Sequence, residues 1–334
     1  MSAMTLLLAL IAVALLFDFL NGFNDSANVV ATMIASRAMS PRGALTLAAL
    51  ANLAGPFLFG VAVAETIGAE VADPRTISVS VVLAALLAAS LWDLTTWYFG
   101  IPVSSSHALV GGLVGAAATG SGLAAIQPHG LWKIVIALLA SPVVGFVVGM
   151  MVMRATLWFL RNATPKVNVT LSRLQLLTAT ALALSHGAND AQKTMGVIAM
   201  GLLTLGFTPV FVVPWWVVLL SASAIALGTA LGGWRIIRTL GTRFYRIHPI
   251  HGFASQLAST AVVLGASLAG GPVSTTQVVS MSILGAGAAE RKSKVRWAAL
   301  NDIVVAWALT LPATALLAVP IYYLIESILR QGGG

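Results

Sequence analysis

The sequence predicts an all-α integral membrane protein: two inverted-topology repeats with broken helices and Ser/Thr-rich half-helix segments, making about ten spanning or re-entrant segments. Three observations predict it. The 334 residues are 58% hydrophobic and only 8% charged, with a mean hydropathy of +0.94, whereas soluble domains carry roughly 25% charged residues. Asn24-Asp25-Ser26-Ala27-Asn28 is echoed by Asn189-Asp190-Ala191-Gln192-Lys193. Pro102-Val103-Ser104-Ser105-Ser106-His107 is echoed by Pro272-Val273-Ser274-Thr275-Thr276-Gln277. Order and spacing are kept in both halves. Polar residues are costly in hydrocarbon, so duplicated polar motifs in two apolar halves point to a ligand site at a repeat interface.

The first repeat, 1–155, reads as apolar segments 4–36, 43–64, 76–98, a Gly-rich 102–120 and 131–153. The Met1–Phe17 stretch lacks the basic start of a signal peptide and is read as a retained helix. A cytoplasmic connecting loop, 156–172, leads to the second repeat, 173–330, with segments 173–203, 211–232, 251–268, a Gly-rich 272–289 and 297–326. Segments of this length suit crossing a bilayer. Five per half is odd, so the second half must enter from the opposite side. With the N-terminus outside, fourteen of the eighteen Lys and Arg fall in cytoplasmic loops at 37–42, 154–173, 235–246 and 291–296, as topology determinants do. Arg75, Lys133, Lys193 and Arg330 are the exceptions. Both termini are therefore expected outside a multi-pass protein of the cytoplasmic membrane.

The isoelectric point near 10.5 does not imply a nucleic-acid partner, because the basic residues lie in short loops and no basic tail or soluble domain remains. The absence of Cys excludes disulfides and thiolate metal sites.

Segment 4–36 is too long for one crossing: as a helix it would run roughly 50 Å against a hydrocarbon core of about 30 Å. Asn21-Gly22-Phe23-Asn24-Asp25 at its middle is poor helix interior, and Ser185-His186-Gly187-Ala188-Asn189-Asp190 takes the equivalent place in the second copy. Both segments are expected to be discontinuous helices with an unwound centre lining a cavity.

Asn24, Asp25 and Asn28 offer a carboxylate and two amide groups within about one turn, chemistry that suits either a cation or hydrogen bonds between helices. Repetition beside glycines favours a site. Pro102 and Pro272 look like helix starts. The backbone N–H groups there attract anions, and the hydroxyls of Ser104, Ser105, Ser106, Ser274, Thr275 and Thr276 add donors. The bland alternative is a packing face of small residues. His107 and His186 are each candidates for anion binding or proton relay, or for filling a polar hole, and Gln277 is the counterpart of His107 in the second half. Asp18, Asp93 and Asp302 are carboxylates within apolar segments, functional candidates by default. No Walker loop or His-Glu-x-x-His run is present, so no enzyme is read here, and neither a cofactor nor a resident metal is expected.

These motifs, in this order over essentially the whole chain, resemble the inorganic phosphate transporter (PiT) family. The resemblance implies a homodimeric inverted-repeat symporter of phosphate, free or as a metal-phosphate complex, embedded in membrane lipid. It implies that Ser104, Ser105, Ser106, Ser274, Thr275 and Thr276 contact phosphate together with Asn24 and Asn189. Asp25, Asn28, Asp190, Gln192, Lys193 and Asp18 would serve the coupling ion or its charge. Gln192-Lys193 replaces Ala27-Asn28, a variant associated with proton-coupled bacterial members, and Gln277 replaces His107. Both departures favour H+ over Na+ as coupling ion. A sulfate permease of the same fold and a passive anion channel stay open as alternatives.

Overall fold

A computed structural model describes residues 2–73 and 75–331; Met1, Pro74 and 332–334 lie outside the described residues, as does the side chain of Ala299. The described chain is helical: α1 Ala3–Ala35, α2 Pro41–Phe59, α3 Ala62–Glu70, α4 Val79–Phe99, α5 Ser105–Gly120, α6 Pro128–Phe159, α7 Val167–Thr204, α8 Trp215–Leu231, α9 Trp234–Thr242, α10 Pro249–Leu268, α11 Thr275–Glu290 and α12 Trp297–Gln331. Extended structure among the described residues is one isolated bridge, Ala72 to Ile126. Local chemistry sets the starts. Ser40 accepts from the Gly43 amide ahead of Pro41 to open α2, and α4 ends on Gly100 in the left-handed region.

The order of lengths in α1–α6 repeats in α7–α12. The halves are not packed separately. α1 lies on α8 and α2 on α7, while the half-helix α5 packs on α12 and α11 on α6. Each half-helix is thus seated by the long helix that ends the opposite half. Two large apolar clusters form the core, one around Leu10, Phe17, Ile67, Leu109 and Met195, the other around Val30, Met33, Leu182, Ile237 and Phe244.

The expected unwound centres are absent: α1 and α7 are continuous through both Asn-Asp motifs. The glycines serve packing instead. A Cβ on Gly22 would stand 2.2 Å from the Ile225 carbonyl oxygen of α8, and one on Gly187 would stand 2.4 Å from the Asn52 carbonyl oxygen of α2. Glycine costs a helix about 1 kcal/mol against alanine, and here that cost is offset by close backbone approach. The break lies elsewhere. α8 and α9 meet at 68°, across Gly232 with φ 71°, where the Gly233 amide donates to Ser26 Oγ at 2.9 Å. The short helices α3 and α9 fell inside or beside segments read as single runs. The expected 156–172 loop shrinks to 160–166, because α6 runs on to Phe159 and α7 starts at Val167.

Among the described residues six helices are long and apolar enough to cross a membrane, and the bent α8–α9 pair adds a seventh. α5 and α11 have 16 residues each, roughly 24 Å, short of a 30 Å core.

Candidate functional site

The four motifs converge at the middle of α1 and α7, where the half-helices begin. Ser104 and Ser274 are N-caps: their hydroxyls accept from the His107 amide at 3.2 Å and the Gln277 amide at 3.3 Å. Capping is the local reason each half-helix starts where it does. Each of these hydroxyls keeps its own proton to donate, so the cap and a ligand contact use different sites on the same oxygen. Ser106 donates to the Val273 carbonyl at 3.1 Å and so ties one motif to the other. That leaves Ser105, Thr275 and Thr276 at the centre.

There the structure assembles a buried charge cluster. Thr276 donates to Asp25 Oδ1 at 2.8 Å and Thr275 to Asp190 Oδ2 at 2.8 Å. Lys193, fully buried, donates to Asp190 Oδ1. His186 Nε2 is 2.8 Å from Asp190 Oδ2 and 3.7 Å from Asp25 Oδ2. The first contact is oblique to the ring, close enough for an ion pair without being an aligned hydrogen bond. Losing one partner of such a buried pair typically costs about 3–5 kcal/mol.

The amides anchor this centre to its walls. Asn24 donates to the Asp93 carbonyl at 3.2 Å and Asn189 to Ser267 Oγ at 2.8 Å. Asn28 donates to Thr276 Oγ1 at 3.1 Å. The side-chain oxygens of all three find no partner among the described residues, and orphaned buried acceptors are costly. Asn21, Asn24, Asp25, Asp93 and Ser105 line one small pocket, with a volume of about 10 Å³, room for roughly one water. The site is closed in this conformation. Asp18 is fully buried on α1 with both carboxylate oxygens unpartnered among the described residues.

Other candidates lie apart. His107 and Gln277 line a separate apolar cavity of about 370 Å³ between α6 and α12, which has no carboxylate in its wall. Gln192 is a cap: its Oε1 accepts from the Val63 and Ala64 amides at 2.8 and 3.3 Å, fastening α3 to α7. Asp302 is exposed near the start of α12, because its position falls on the outward face of that helix. Asn52 was missed by the sequence reading. It is buried on α2, bonded to His186 Nδ1 at 3.2 Å and to Thr229 at 2.8 Å. As a lone amide within an apolar run it carried the same signal that flagged Asp93.

Asp25, His186 and Asp190 bring one potential ligand atom each within 4.8 Å of one another. An ion there would sit against the Lys193 ammonium on the same Asp190 carboxylate, so the donor set does not fit a resident divalent metal.

Comparison with known proteins agrees with this architecture. A solved structure titled "The sodium-dependent phosphate transporter" superposes with a TM-score of 0.88 at 24% identity, covering 97% of this chain and all of that one. A Rhizobium meliloti (strain 1021) protein named "Probable low-affinity inorganic phosphate transporter" is 44% identical over 98% of both chains. A Bacillus subtilis (strain 168) protein of the same name is 42% identical over 97% of this chain and 98% of its own. The family model for the phosphate transporter family matches residues 21–171 and 160–318. Since that model spans most of the sequence and the relatives match along nearly their whole length, the chain belongs to the phosphate transporter family, whose members are named as transporters and not as enzymes.

Proposed function

We propose that this chain imports inorganic phosphate by proton symport, through alternating access between two inverted repeats. The observation that carries proton coupling is Lys193. It stands where the first copy has Asn28, four residues past the motif Asn in each case. An Asn carbonyl can ligate a metal ion, but Lys has only donors and its own charge. Its ammonium rests on Asp190, a tethered cation where a symmetric site would hold a second mobile one. It offsets part of the negative charge that would otherwise repel phosphate.

Phosphate would enter between Ser105 on one half-helix and Thr275 and Thr276 on the other. Their hydroxyls would exchange carboxylate oxygens for phosphate oxygens. The half-helix N-termini supply further donors and a favourable dipole. The caps of Ser104 and Ser274 keep those N-termini formed when the centre opens. Outward-facing apolar side chains such as Leu139, Val143, Leu316 and Leu324 would meet lipid, and a homodimer is the expected assembly.

Uptake of radiolabelled phosphate into proteoliposomes, with pH and Na+ gradients imposed separately, tests the reading. A pH gradient should drive concentrative uptake in Na+-free buffer, uninhibited by sulfate. Strict, saturable Na+ dependence overturns proton coupling, passive equilibration indicates a channel, and competition by sulfate indicates the sulfate permease. Inversion is tested by single Cys residues at Arg37 and Arg243 in this Cys-free chain. Both should resist impermeant thiol reagents in intact cells, and ready labelling of either refutes the five-crossing topology.

A further inference from the structure

A chain of hydrogen bonds running in from α8 fixes the protonation of one ring nitrogen of His186. The Thr229 hydroxyl lies 2.8 Å from the Ile225 carbonyl oxygen and 3.3 Å from that of Gly22. Two oxygens at 2.8 Å attract only with a proton between them, so the Thr229 proton is committed there. Its Oγ1 can then only accept, which it does from Asn52 Nδ2 at 2.8 Å. This network assigns the Asn52 amide with Oδ1 towards His186 Nδ1, 3.2 Å away. Nδ1 is therefore the donor. The other nitrogen, Nε2, faces Asp190 Oδ2 at 2.8 Å and Asp25 Oδ2 at 3.7 Å.

The carboxylates are one donor short. Lys193 serves Asp190 Oδ1, Thr275 serves Asp190 Oδ2 and Thr276 serves Asp25 Oδ1. Asn28 donates to Thr276 Oγ1, which leaves the Thr276 proton on Asp25. Asp25 Oδ2 is left over. Thr275 Oγ1 is 3.3 Å from it, but its single proton serves the shorter 2.8 Å bond to Asp190. A bare Nε2 would hold its lone pair against two carboxylate oxygens, 2.8 and 3.7 Å away. One more proton turns that repulsion into an ion pair with both carboxylates.

We propose that His186 Nε2 carries the coupling proton, shared with Asp25 and Asp190. This rests on the proton-symport reading above and names its carrier. With the proton present, two carboxylates face an imidazolium and an ammonium, and the four side chains sum to zero charge. Without it they carry one negative charge and repel an arriving anion. Phosphate draws the Thr275 and Thr276 hydroxyls away, and the carboxylates, having lost two donors, hold the His186 proton more tightly. When phosphate leaves inward the hydroxyls return and the proton is released after it. The other buried carboxylates among the described residues are Asp18 on α1 and Asp93 on α4; α2 contributes the neutral Asn52, α8 the neutral Thr229 and α11 the neutral Thr275. The first repeat has Asn21 at the position equivalent to His186, so a single carrier serves both halves.

The test is nitrogen NMR of 15N-histidine-labelled protein in lipid nanodiscs at neutral pH, with His186 assigned by its loss in H186Q. If H186Q does not accumulate, a chain with the other four histidines replaced by glutamine supplies the assignment. Both ring nitrogens should show the protonated signature, and phosphate should extend that state to higher pH. A neutral ring with a bare Nε2 overturns the proposal. In proteoliposomes H186Q should lose accumulation driven by a pH gradient out of proportion to phosphate exchange, at least tenfold in their ratio. An unchanged ratio overturns the proposal while leaving proton symport standing. Na+-driven wild-type uptake would remove symport with protons, and the spectrum would still decide where the proton sits.

Discussion

The two Asn-Asp motifs occupy equivalent places, yet the Asp of the first is held through neutral side chains and the Asp of the second by a cation and an imidazole. In the first copy Asn28 donates to Thr276, and Thr276 donates to Asp25. In the second copy Lys193 and His186 both bear directly on Asp190. Asn24 and Asn189, by contrast, do the same job in both: each ties its helix to the wall of its own half. The difference teaches that the two halves have the same order of helices and divide the chemistry. The first copy lends acceptors and polar reach, and the second holds the fixed cation and the imidazole.

The comparison is broken most forcefully at Lys193. Lys193→Met strands the Asp190 carboxylate in the core, and about 3–5 kcal/mol of stability should be lost. A fall of several degrees in the thermal midpoint in detergent, with uptake abolished, is the expected outcome. Lys193→Asn makes the second copy resemble the first and should impair uptake driven by a pH gradient; full retention of that uptake would show that the ammonium only fills space. Next come the hydroxyls. Ser105→Ala and Thr275→Ala should each weaken phosphate binding by roughly 1.5–3 kcal/mol, the worth of a hydrogen bond to a charged group, read by calorimetry. Ser104→Ala should instead lose about 1 kcal/mol of stability through its cap, with a smaller effect on affinity. Equal affinity losses at Ser104 and Ser105 would erase the distinction between caps and ligands. Gln192→Leu should cost about 1–3 kcal/mol by leaving two α3 amides unsatisfied, without altering which ion drives uptake. The smallest effect is expected at exposed Asp302: Asp302→Asn should stay within about 0.5 kcal/mol and leave transport unchanged.

Much of this was legible in the sequence because burial of polar groups in an apolar chain is expensive enough to be informative. Asp25, Asp190 and Lys193 announced themselves that way, and Pro-Val-Ser-Ser/Thr-Ser/Thr marked the half-helix starts correctly. The error about broken helices arose from Gly22 and Gly187. Local propensity treats glycine as a breaker, whereas tertiary packing used it for contact with Ile225 and Asn52. Nothing in one strand of sequence says which neighbour a glycine will meet. For the same reason Gln192 could not be distinguished from a site residue: its partners, the Val63 and Ala64 amides, are backbone groups of a short helix that no hydropathy pattern revealed.

The exchange of short helices between the two halves has a consequence for biosynthesis. α5 finds its seat on α12, which is synthesised long after it. At about 5–20 residues per second, the interval between Gly120 and Trp297 is roughly 10–35 s, during which the first Ser-rich motif has no final partner. A chain cut short after its first half therefore leaves a short, Gly-rich helix with its packing face uncovered. Insertion of this protein must tolerate that long wait, and the arrival of α12 is the moment at which the packing face of α5 is covered.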